Sequence, residues 1–254
     1  VETAAADKND LTVVRSMELQ YANNFAVDYC ANGCKIITDG AGQKFLWVPE
    51  GGEAPDDTGD MTVLQAPLTK LGCFSTTHAT LFHAIGALDK VSLVTTDKDK
   101  WHIEQVAQQI EDGTTTYVGK NSAPDYELIS AAAPQIILIS ANTMHGSDEV
   151  LAKLDELGIP YIADSQHLEN HPLGRVEWVK LVGALLDMEE EADAYFDEEV
   201  QRVNAVAESV AGESEHPTIL QTYIFKGTVY VRNGGDYVNK MLELAGGTYP
   251  CAEL

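Results

Sequence analysis

The longest regular hydrophobic pattern in the chain runs from Pro172 to Val210. Its apolar residues recur three and four positions apart, which is the spacing of one face of an α-helix. Pro172 suits a first helical turn, and Gly212 is a typical stop. The pattern predicts a long helical section, although an ordinary pair of packed surface helices would also produce it. The two apolar stripes consist of Leu173, Val176, Val179, Val182, Leu185 and Leu186, then Ala192, Tyr195, Phe196, Val200, Val203, Val206 and Val210.

Before this section, short apolar segments alternate with amphipathic ones. This alternation predicts strands and helices in turn, and a parallel or mixed sheet that helices cover on both faces. An N-terminal β-hairpin region, made of residues 11–15 and the alternating run 34–48, comes first. The predicted strands are 62–64, 91–95, 115–118, 135–140 and 161–163, and the predicted helices are 77–88, 103–111, 125–133 and 148–157.

The chain after the helical section is short. Residues 218–225 and 228–232 predict strands and 237–245 a helix, which restarts the same layout with too few residues for a complete unit. The predicted fold class is therefore α/β, with two α/β lobes joined by a long helical section and an incomplete second lobe. The expected domains are an N-terminal lobe at 1–165, connecting helices at 166–211, and a truncated or shortened C-terminal lobe at 212–254.

Composition and charge narrow the class of partner. The chain has 254 residues, 44% hydrophobic and 22% charged, which is enough for one large or two small domains. Its formal net charge is -24, from 16 basic and 40 acidic residues, so no nucleic-acid partner is expected and anionic membranes are disfavoured. No segment approaches the ~18 apolar residues of a membrane span. The small polar residues 1–10 are typical of a tether left when a targeting sequence is removed, and an arbitrary start would look the same.

Four cysteines are too few for a disulfide scaffold, and they form no Cys-x-x-Cys or zinc-type quartet. Cys30 and Cys34 flank Ala-Asn-Gly, whose Asn-Gly pair is a strong hairpin signal. The two thiols are therefore expected to face each other across a strand pair. An oxidising exterior would permit a disulfide there, and two free cysteines are the alternative.

The chain contains no Gly-x-Ser-x-Gly elbow, Gly-x-Gly-x-x-Gly fingerprint, P-loop or His-Glu-x-x-His pair. We therefore expect no catalytic residues. Ser75 with His78 keeps a hydrolase-type enzyme open as an alternative, and a surface adhesin is a third class. Among the seven histidines, His78 and His83 are loosely spaced on one predicted helix without a zinc-site carboxylate, so no direct metal site and no resident cofactor are expected.

Several segments occur in the order of one known family. They are Pro-Asp-Tyr-Glu-Leu-Ile at 124–129, Ala-Pro-Gln-Ile-Ile-Leu-Ile at 133–139, Leu-Asp-Glu-Leu-Gly-Ile-Pro at 154–160, His-Pro-Leu-Gly-Arg at 171–175 with Gly-Ala-Leu-Leu at 183–186, and Gly-Gly-Asp-Tyr at 234–237 with Ala-Gly-Gly at 245–247. Together they resemble the substrate-binding proteins of ABC importers that carry iron-siderophores, haem and cobalamin. The resemblance covers the chain from about Met61 to Gly247. It implies two α/β lobes joined by a rigid helix, a ligand between them, and attachment outside the cell membrane, by a lipid anchor in Gram-positive organisms.

The resemblance also implies a function. It predicts a monomeric, extracytoplasmic solute-binding protein that captures a chelated-iron compound, a ferric siderophore, and delivers it to an ABC permease. Cobalamin-type corrinoids and haem are the alternative ligands. In the family, a Glu on each lobe docks against arginines of the permease, and Glu127 matches the first-lobe position. No counterpart for the second lobe occurs before Leu254, which departs from the family pattern.

In open α/β sheets, ligands bind beyond the carboxyl ends of the strands, so the loops after the strands are expected to line the cleft. Arg175 and Arg232 suit anionic chelate groups, because a guanidinium presents a charged, bidentate fork. Tyr230 and Tyr237 lie near Arg232 in the sequence and are expected to face the same cleft. The candidate ligand-binding residues are Ser75, Thr76, His78, Trp101, Lys120, Met144, His145, Arg175, Tyr223, Lys226 and Arg232.

Overall fold

The computed structural model describes residues 7–140 and 147–253. Its N-terminal part is a mixed five-stranded sheet. Its strands are β1 (Val13–Ser16), β2 (Ala26–Cys30), β3 (Lys35–Thr38), β4 (Lys44–Val48) and β5 (Thr62–Gln65). Strands β1 to β4 pair antiparallel in chain order, and β5 joins β4 in parallel. The predicted N-terminal hairpin region is confirmed, and β2 ends at Cys30, so the strand pair expected on either side of the Asn-Gly turn is present as well.

A second, parallel sheet, which we call the central sheet, follows. Its strands are β6 (Leu71–Cys73), β7 (Val91–Val94), β8 (Thr116–Tyr117), β11 (Ile136–Ser140) and β12 (Tyr161–Asp164), and the short pair β9 (Gly119–Lys120) and β10 (Ala123–Pro124) lies between. The spatial order is β12-β11-β6-β7-β8. In β11, Ile136 and Leu138 enter one apolar cluster, whereas Ile137 and Ile139 enter another. The predicted parallel sheet with two covered faces is therefore confirmed.

Helices cover the two faces of the central sheet. They are α1 (Thr76–Ala84), α2 (Glu104–Glu111), α3 (Tyr126–Ala132), α4 (Ser147–Glu156), α5 (Pro172–Glu177), α6 (Val179–Leu186) and α7 (Glu189–Val210). Helices α1 and α6 contribute to one apolar cluster, and α3 and α4 contribute to the other. Helix α1 ends earlier than predicted, and Gly86 follows it with φ 72, a conformation that favours glycine and turns the chain.

The predicted long helical section consists of three helices rather than one continuous rod. Trp178, which is fully buried, separates α5 from α6, and Asp187 with φ 59 ends α6. Helix α7 ends at Val210, where the predicted helical pattern ends. Its Ala192 and Phe196 are buried, and Val200 and Val203 pack against the same core, but Val206 is 50% exposed, so only the last two turns leave the core.

Lys35 fastens the start of α7 to the N-terminal sheet. Its Nζ lies 2.6 Å from Glu189 Oε1, 2.9 Å from Asp187 Oδ1 and 3.0 Å from the carbonyl oxygen of Ala184. The ring centroid of Trp47 is 4.0 Å from the same nitrogen, a cation–π contact. A buried ammonium requires a full set of partners, and this one binds strand β3 to the junction of α6 and α7.

A hairpin and one helix follow α7. They are β13 (Thr222–Phe225), β14 (Thr228–Val231) and α8 (Tyr237–Leu244). The hairpin strands are exposed along their whole length, whereas α8 packs against α5 and α7. The division of the chain into lobes stays a prediction. Within residues 7–140 and 147–253, no helix has both the length and the apolar character needed to cross a membrane.

Two buried carboxylates bind the segment that connects β1 to β2. Glu177 accepts the backbone N–H groups of residues 20–22, each at 2.8 Å. Glu169 accepts the N–H groups of residues 23 and 24 at 3.1 Å and the indole N–H of Trp178 at 3.1 Å. Charge-assisted hydrogen bonds of this kind are about twice as strong as neutral ones. They join α5 and the loop before it to the N-terminal sheet.

Asp39 makes a similar connection between the β3–β4 turn and the central sheet. One carboxylate oxygen accepts the amides of Ala41 and Gln43 at 2.9 Å, and the other accepts the amide of Ala163 at 2.8 Å. The amide of Gly40 donates to the carbonyl of Ala163 at 3.0 Å, and a Cβ at Gly40 would lie 2.8 Å from that oxygen. Burial raises the pKa of Asp39, and its backbone hydrogen bonds oppose that shift.

Replacing Glu177 with Gln should lower the free energy of unfolding by about 2–3 kcal/mol, because the NH2 group that takes the place of one carboxylate oxygen cannot accept and faces a buried backbone N–H donor. Urea denaturation measures this change. The matched control is Glu208→Gln on the exposed face of α7, where a change within about 0.5 kcal/mol is expected. Equal stability of the two variants would contradict the role assigned to Glu177.

Candidate functional site

The carboxyl ends of the parallel strands meet at one edge of the central sheet, which we call the carboxyl edge. Ligands of open α/β sheets bind at such an edge. The loops after β6 and β12 begin there with Phe74 and Ser165. Residues 141–146, which follow β11 in the sequence and include the predicted residues Met144 and His145, lie outside the described part of the chain.

Ser75 caps helix α1 at the carboxyl edge. Its hydroxyl accepts the N–H of Thr77 at 3.3 Å and lies 2.7 Å from the hydroxyl of Thr77. Such a cap satisfies one of the amides left without a partner at a helix start. Thr76, the first residue of the helix, is exposed. The structure therefore gives Ser75 a capping role and leaves Thr76 on the surface of the edge.

His78 lies beneath the carboxyl edge, which differs from the predicted ligand contact. Its side chain is fully buried, with Nε2 3.2 Å from Ser140 Oγ and 3.6 Å from Asp164 Oδ2. Within the described residues, Nδ1 has no hydrogen-bond partner. Burial lowers the pKa of His78, and the Asp164 carboxylate opposes that shift. An imidazole enclosed in this way supports the edge from below and offers no surface to a ligand.

Trp101 and Lys120 lie in the connections that follow β7 and β8. The half-buried Trp101 donates its indole N–H to the carbonyl of Thr96 at 3.0 Å, which closes its loop on itself. Lys120 in β9 is exposed. Contact of either residue with a ligand stays a prediction.

Arg175 connects the carboxyl edge to the C-terminal helix. Its Nη2 donates to the carbonyl of His167, in the loop after β12, at 2.6 Å. Its Cζ lies 3.6 Å from the ring centroid of Tyr237 at the start of α8, a cation–π contact. Its Nε is buried and has no hydrogen-bond partner among residues 7–140 and 147–253. The side chain thus spans the space between the central sheet and the segment after α7.

Arg232 lies at the base of the β13–β14 hairpin, close to α8. Its Nη1 donates to Asp236 Oδ2 at 2.8 Å, and its carbonyl accepts the hydroxyl of Tyr249 at 2.8 Å. The hydrogen bond to Asp236 raises the pKa of Arg232, and the phenols of Tyr237 and Tyr223 act in the same direction. Tyr237 is therefore close to both arginines. We call Arg175, Arg232, Tyr223 and Tyr237 the arginine–tyrosine group.

The aromatic residues of the hairpin extend this group. The rings of Tyr223 and Tyr230 stack with centroids 4.9 Å apart and 9° between their planes. Lys226, by contrast, is exposed in the turn with φ 50, and the whole of β14 separates it from Arg232. Of the predicted C-terminal residues, the structure brings Arg232 and Tyr223 together and places Lys226 apart.

Two carboxylates of the site were not predicted. Asp164 ends the buried strand β12, and Asp236 caps α8 by accepting the N–H of Val238 at 2.9 Å. The signal for Asp236 was a capping residue directly before an apolar helical pattern. No signal marked Asp164, whose importance comes from its contact with His78. In the part of the chain that the structure describes, no group of three or more His, Cys, Asp and Glu is placed to hold a metal ion.

A groove of about 670 Å³ lies near the amino end of β12, away from the carboxyl edge. Its walls include Lys44, Asp60, Asp155 and Tyr161. None of the predicted ligand-binding residues lines it. The groove and the carboxyl edge are therefore separate surfaces.

Comparison with known proteins adds an independent result. A family model described as periplasmic binding protein matches residues 73–254. The chain is 34% identical over 175 residues to an uncharacterised lipoprotein of Methanocaldococcus jannaschii, which covers 64% of this chain and 41% of that protein. The chain thus spans less than half the length of that relative.

Solved structures share the fold. A possible iron-binding periplasmic solute-binding protein from Staphylococcus epidermidis superposes with a TM-score of 0.60 at 17% identity, over 73% of this chain and 68% of that one. A periplasmic haem-binding protein of Vibrio cholerae has a TM-score of 0.58 at 16% identity, over 72% and 66%. At such identities the similarity describes the fold alone, and it agrees with the predicted α/β class.

Replacing His78 with Asn should weaken the acid dependence of stability. Because burial lowers the pKa of His78 from 6.5, the unfolded chain binds a proton at higher pH than the folded protein does. This group therefore lowers the free energy of unfolding as the pH falls below about 6.5, by at most about 1.4 kcal/mol per pH unit. Urea unfolding at pH about 7.5 and about 5.5 measures the loss in both proteins.

The matched control is His83→Asn, on the exposed side of the same helix, which should retain the wild-type pH dependence. If the His78→Asn variant loses as much stability on acidification as the wild type and this control, the proposed linkage is wrong.

Proposed function

Because the chain belongs to the periplasmic binding protein family, we propose that it is the extracytoplasmic solute-binding component of an ABC importer. It captures a small-molecule metal chelate without forming a covalent bond and passes it to a membrane permease. The family consists of solute-binding proteins, so the hydrolase alternative is set aside.

The observation that carries the proposal is the position of Arg175. Its guanidinium contacts the loop after β12 through His167 and the start of α8 through Tyr237. A ligand that binds beside this side chain is touched by the carboxyl edge on one side and by the C-terminal segment on the other. A ligand held between the central sheet and the C-terminal segment must contact residues where these two parts meet, and Arg175 lies there.

The charge of the group favours an anionic ligand, and we infer a ferric siderophore. Arg232 is held by one carboxylate, Asp236, through a single nitrogen, and a guanidinium has five N–H donors. An anion can therefore bind beside Asp236. The chain has only 16 basic residues against 40 acidic ones, so two arginines near one tyrosine form a local positive site in a negative molecule.

Haem and corrinoids are the competing ligands, and they would use the same group differently. The carboxylates of haem would bind the arginines, whereas a corrinoid would depend more on the stacked rings of Tyr223 and Tyr230. In each case the metal arrives inside the ligand, so no resident cofactor is required.

Family membership places the working protein outside the cytoplasmic membrane, in the periplasm or anchored by lipid. The proposed partner is an ABC permease. Glu127 is exposed in the first turn of α3, where Asp125 caps the helix by accepting the N–H of Glu127 at 3.0 Å. Its carboxylate is thus presented to a cationic partner, and we propose that it docks the monomeric protein on the permease.

A thermal-shift screen should identify the ligand class. The chain is heated with ferric catecholates, ferric hydroxamates, haem or cobalamin at about 100 times the expected dissociation constant. Binding at that excess adds ~2.7 kcal/mol of stability, which raises the melting temperature by a few degrees. A shift with one ferric siderophore class supports the siderophore as the ligand. A shift with haem or cobalamin alone would show that this compound, and not a siderophore, is the ligand. No shift with any chelate contradicts the function.

Replacing Arg232 or Arg175 with Ala should then weaken the binding of the identified anionic ligand by ~1.5–3 kcal/mol, because a charge-assisted contact is lost. The dissociation constant should rise roughly tenfold to more than a hundredfold. Isothermal titration measures the affinity. Arg202→Ala is the matched control, since Arg202 lies on the exposed surface of α7 and pairs with Glu198 and Glu199. Affinity unchanged in both site variants would remove the arginines from the ligand site.

A further inference from the structure

Cys30 ends strand β2 and Cys34 directly precedes strand β3, so the two cysteines face each other where the antiparallel hairpin closes. In the β2–β3 ladder, Tyr29 pairs with Lys35, and the amide of Cys30 donates to the carbonyl of Cys34 at 2.8 Å. Facing residues of such a ladder have Cα atoms roughly 4.5–5.5 Å apart. A disulfide needs a separation of roughly 4.4–6.8 Å, so the backbone is already within reach of a bond.

The turn between the two cysteines is fixed in this form. Gly33 has φ 84, and its amide donates to the carbonyl of Cys30 at 3.0 Å. The side-chain oxygen of Asn32 accepts the amide of Cys34 at 3.0 Å, and its Nδ2 donates to the carbonyl of Lys8 at 2.7 Å. These hydrogen bonds fix the conformation of the turn, and the turn fixes the spacing of Cys30 and Cys34.

Both thiols point to the same side of the sheet. Cys30 is 4% and Cys34 2% exposed, and both belong to one small apolar cluster with Leu46 and Val48. Both are free thiols in the structure, as are Cys73 and Cys251. Side chains that share a face and a ladder position have Cβ atoms roughly 4.5–5.5 Å apart, about 1 Å more than a disulfide requires, so the bond closes with a small approach of the two residues.

We propose that Cys30 and Cys34 are a redox pair that closes to a cross-strand disulfide when the protein folds outside the cell. The oxidant is a low-molecular-weight disulfide. One cysteine thiolate attacks it and releases one thiol, and the second cysteine then attacks the mixed disulfide and releases the other. Two cysteine thiols are oxidised, two electrons reduce the reagent to two thiols, and the two cysteine protons pass to those products.

This disulfide is independent of ligand capture, and the burial of the thiols indicates when it forms. Burial raises the pKa of both Cys30 and Cys34, so the folded hairpin contains little of the reactive thiolate. The bond therefore closes while the chain folds, before the apolar cluster covers the sulfur atoms. Once closed and covered, it is protected from reductants by the same burial.

Refolding the full chain tests the proposal. The reduced, unfolded protein is refolded with a mixture of reduced and oxidised glutathione, then denatured and alkylated. Intact mass should show two alkylated cysteines and a loss of about 2 Da for the closed bond. Peptide mapping should place the bond between Cys30 and Cys34. Four alkylated thiols, glutathione held at either cysteine without closure, or a bond to Cys73 or Cys251 would each overturn the proposal.

Two variants sharpen the result. Cys251→Ser should close the same bond with one alkylated cysteine left, whereas Cys30→Ser should form none. The oxidised wild type should also melt a few degrees above its reduced form, because the bond restricts the unfolded chain. Equal melting temperatures of the two wild-type forms would contradict a bond that fits the folded hairpin. The mass measurement on the wild type stands even if a variant does not fold.

Discussion

Buried carboxylates that accept backbone amides hold the N-terminal sheet, the central sheet and α5 in one arrangement. Asp39, Glu169 and Glu177 do this at separate places, and between them they bind main-chain donors from three segments of chain. With 40 acidic and 16 basic residues, salt bridges are able to neutralise only a minority of the carboxylates. Backbone N–H groups provide most of the missing partners, because they satisfy a buried anion without a cation at Asp39 and Glu169, and Glu177 adds Lys180 Nζ at 3.4 Å. The chain uses a buried cation at the start of α7, where Lys35 pairs with Asp187 and Glu189.

The same contacts set the position of the arginine–tyrosine group. A Cβ at Gly174 would lie 3.0 Å from the carbonyl oxygen of Tyr21, so α5 approaches that segment as closely as a backbone can. The ring of Tyr21 stacks on His171 at 4.4 Å, which fixes the start of the helix. Arg175, one residue beyond Gly174, therefore projects from a helix whose place is decided by hydrogen bonds at its other side. Under the proposed function, the same hydrogen bonds would stabilise the fold and position the ligand contact.

The periodic parts of the fold were predictable from the sequence, and the parts that depend on contacts between distant residues were not. Helix α7 ends where its long helical periodicity ends, and β11 matches its predicted bounds within a residue because it is a continuous apolar run between polar segments. Strand β6 is three buried residues, too few to show a period. His78 follows a strand, as a ligand contact should, but the rotation of α1 turns its side chain inward. The meeting of Arg175 with Tyr237 joins residues 62 positions apart, and only the folded chain brings them together.

The uneven burial of α7 decides how the segment after it can move. Its first turns are fixed by Lys35, Ala192 and Phe196, and no proline or glycine interrupts the helix to let it kink. Motion must then arise as a small tilt of a stiff rod about its anchored end. At ~1.5 Å per residue, the last seven residues form a lever of ~10 Å, and a tilt of about 15° displaces its tip by ~3 Å. That distance is about the length of one hydrogen bond, so a tilt of this size is enough to make or break the contact between Arg175 and Tyr237.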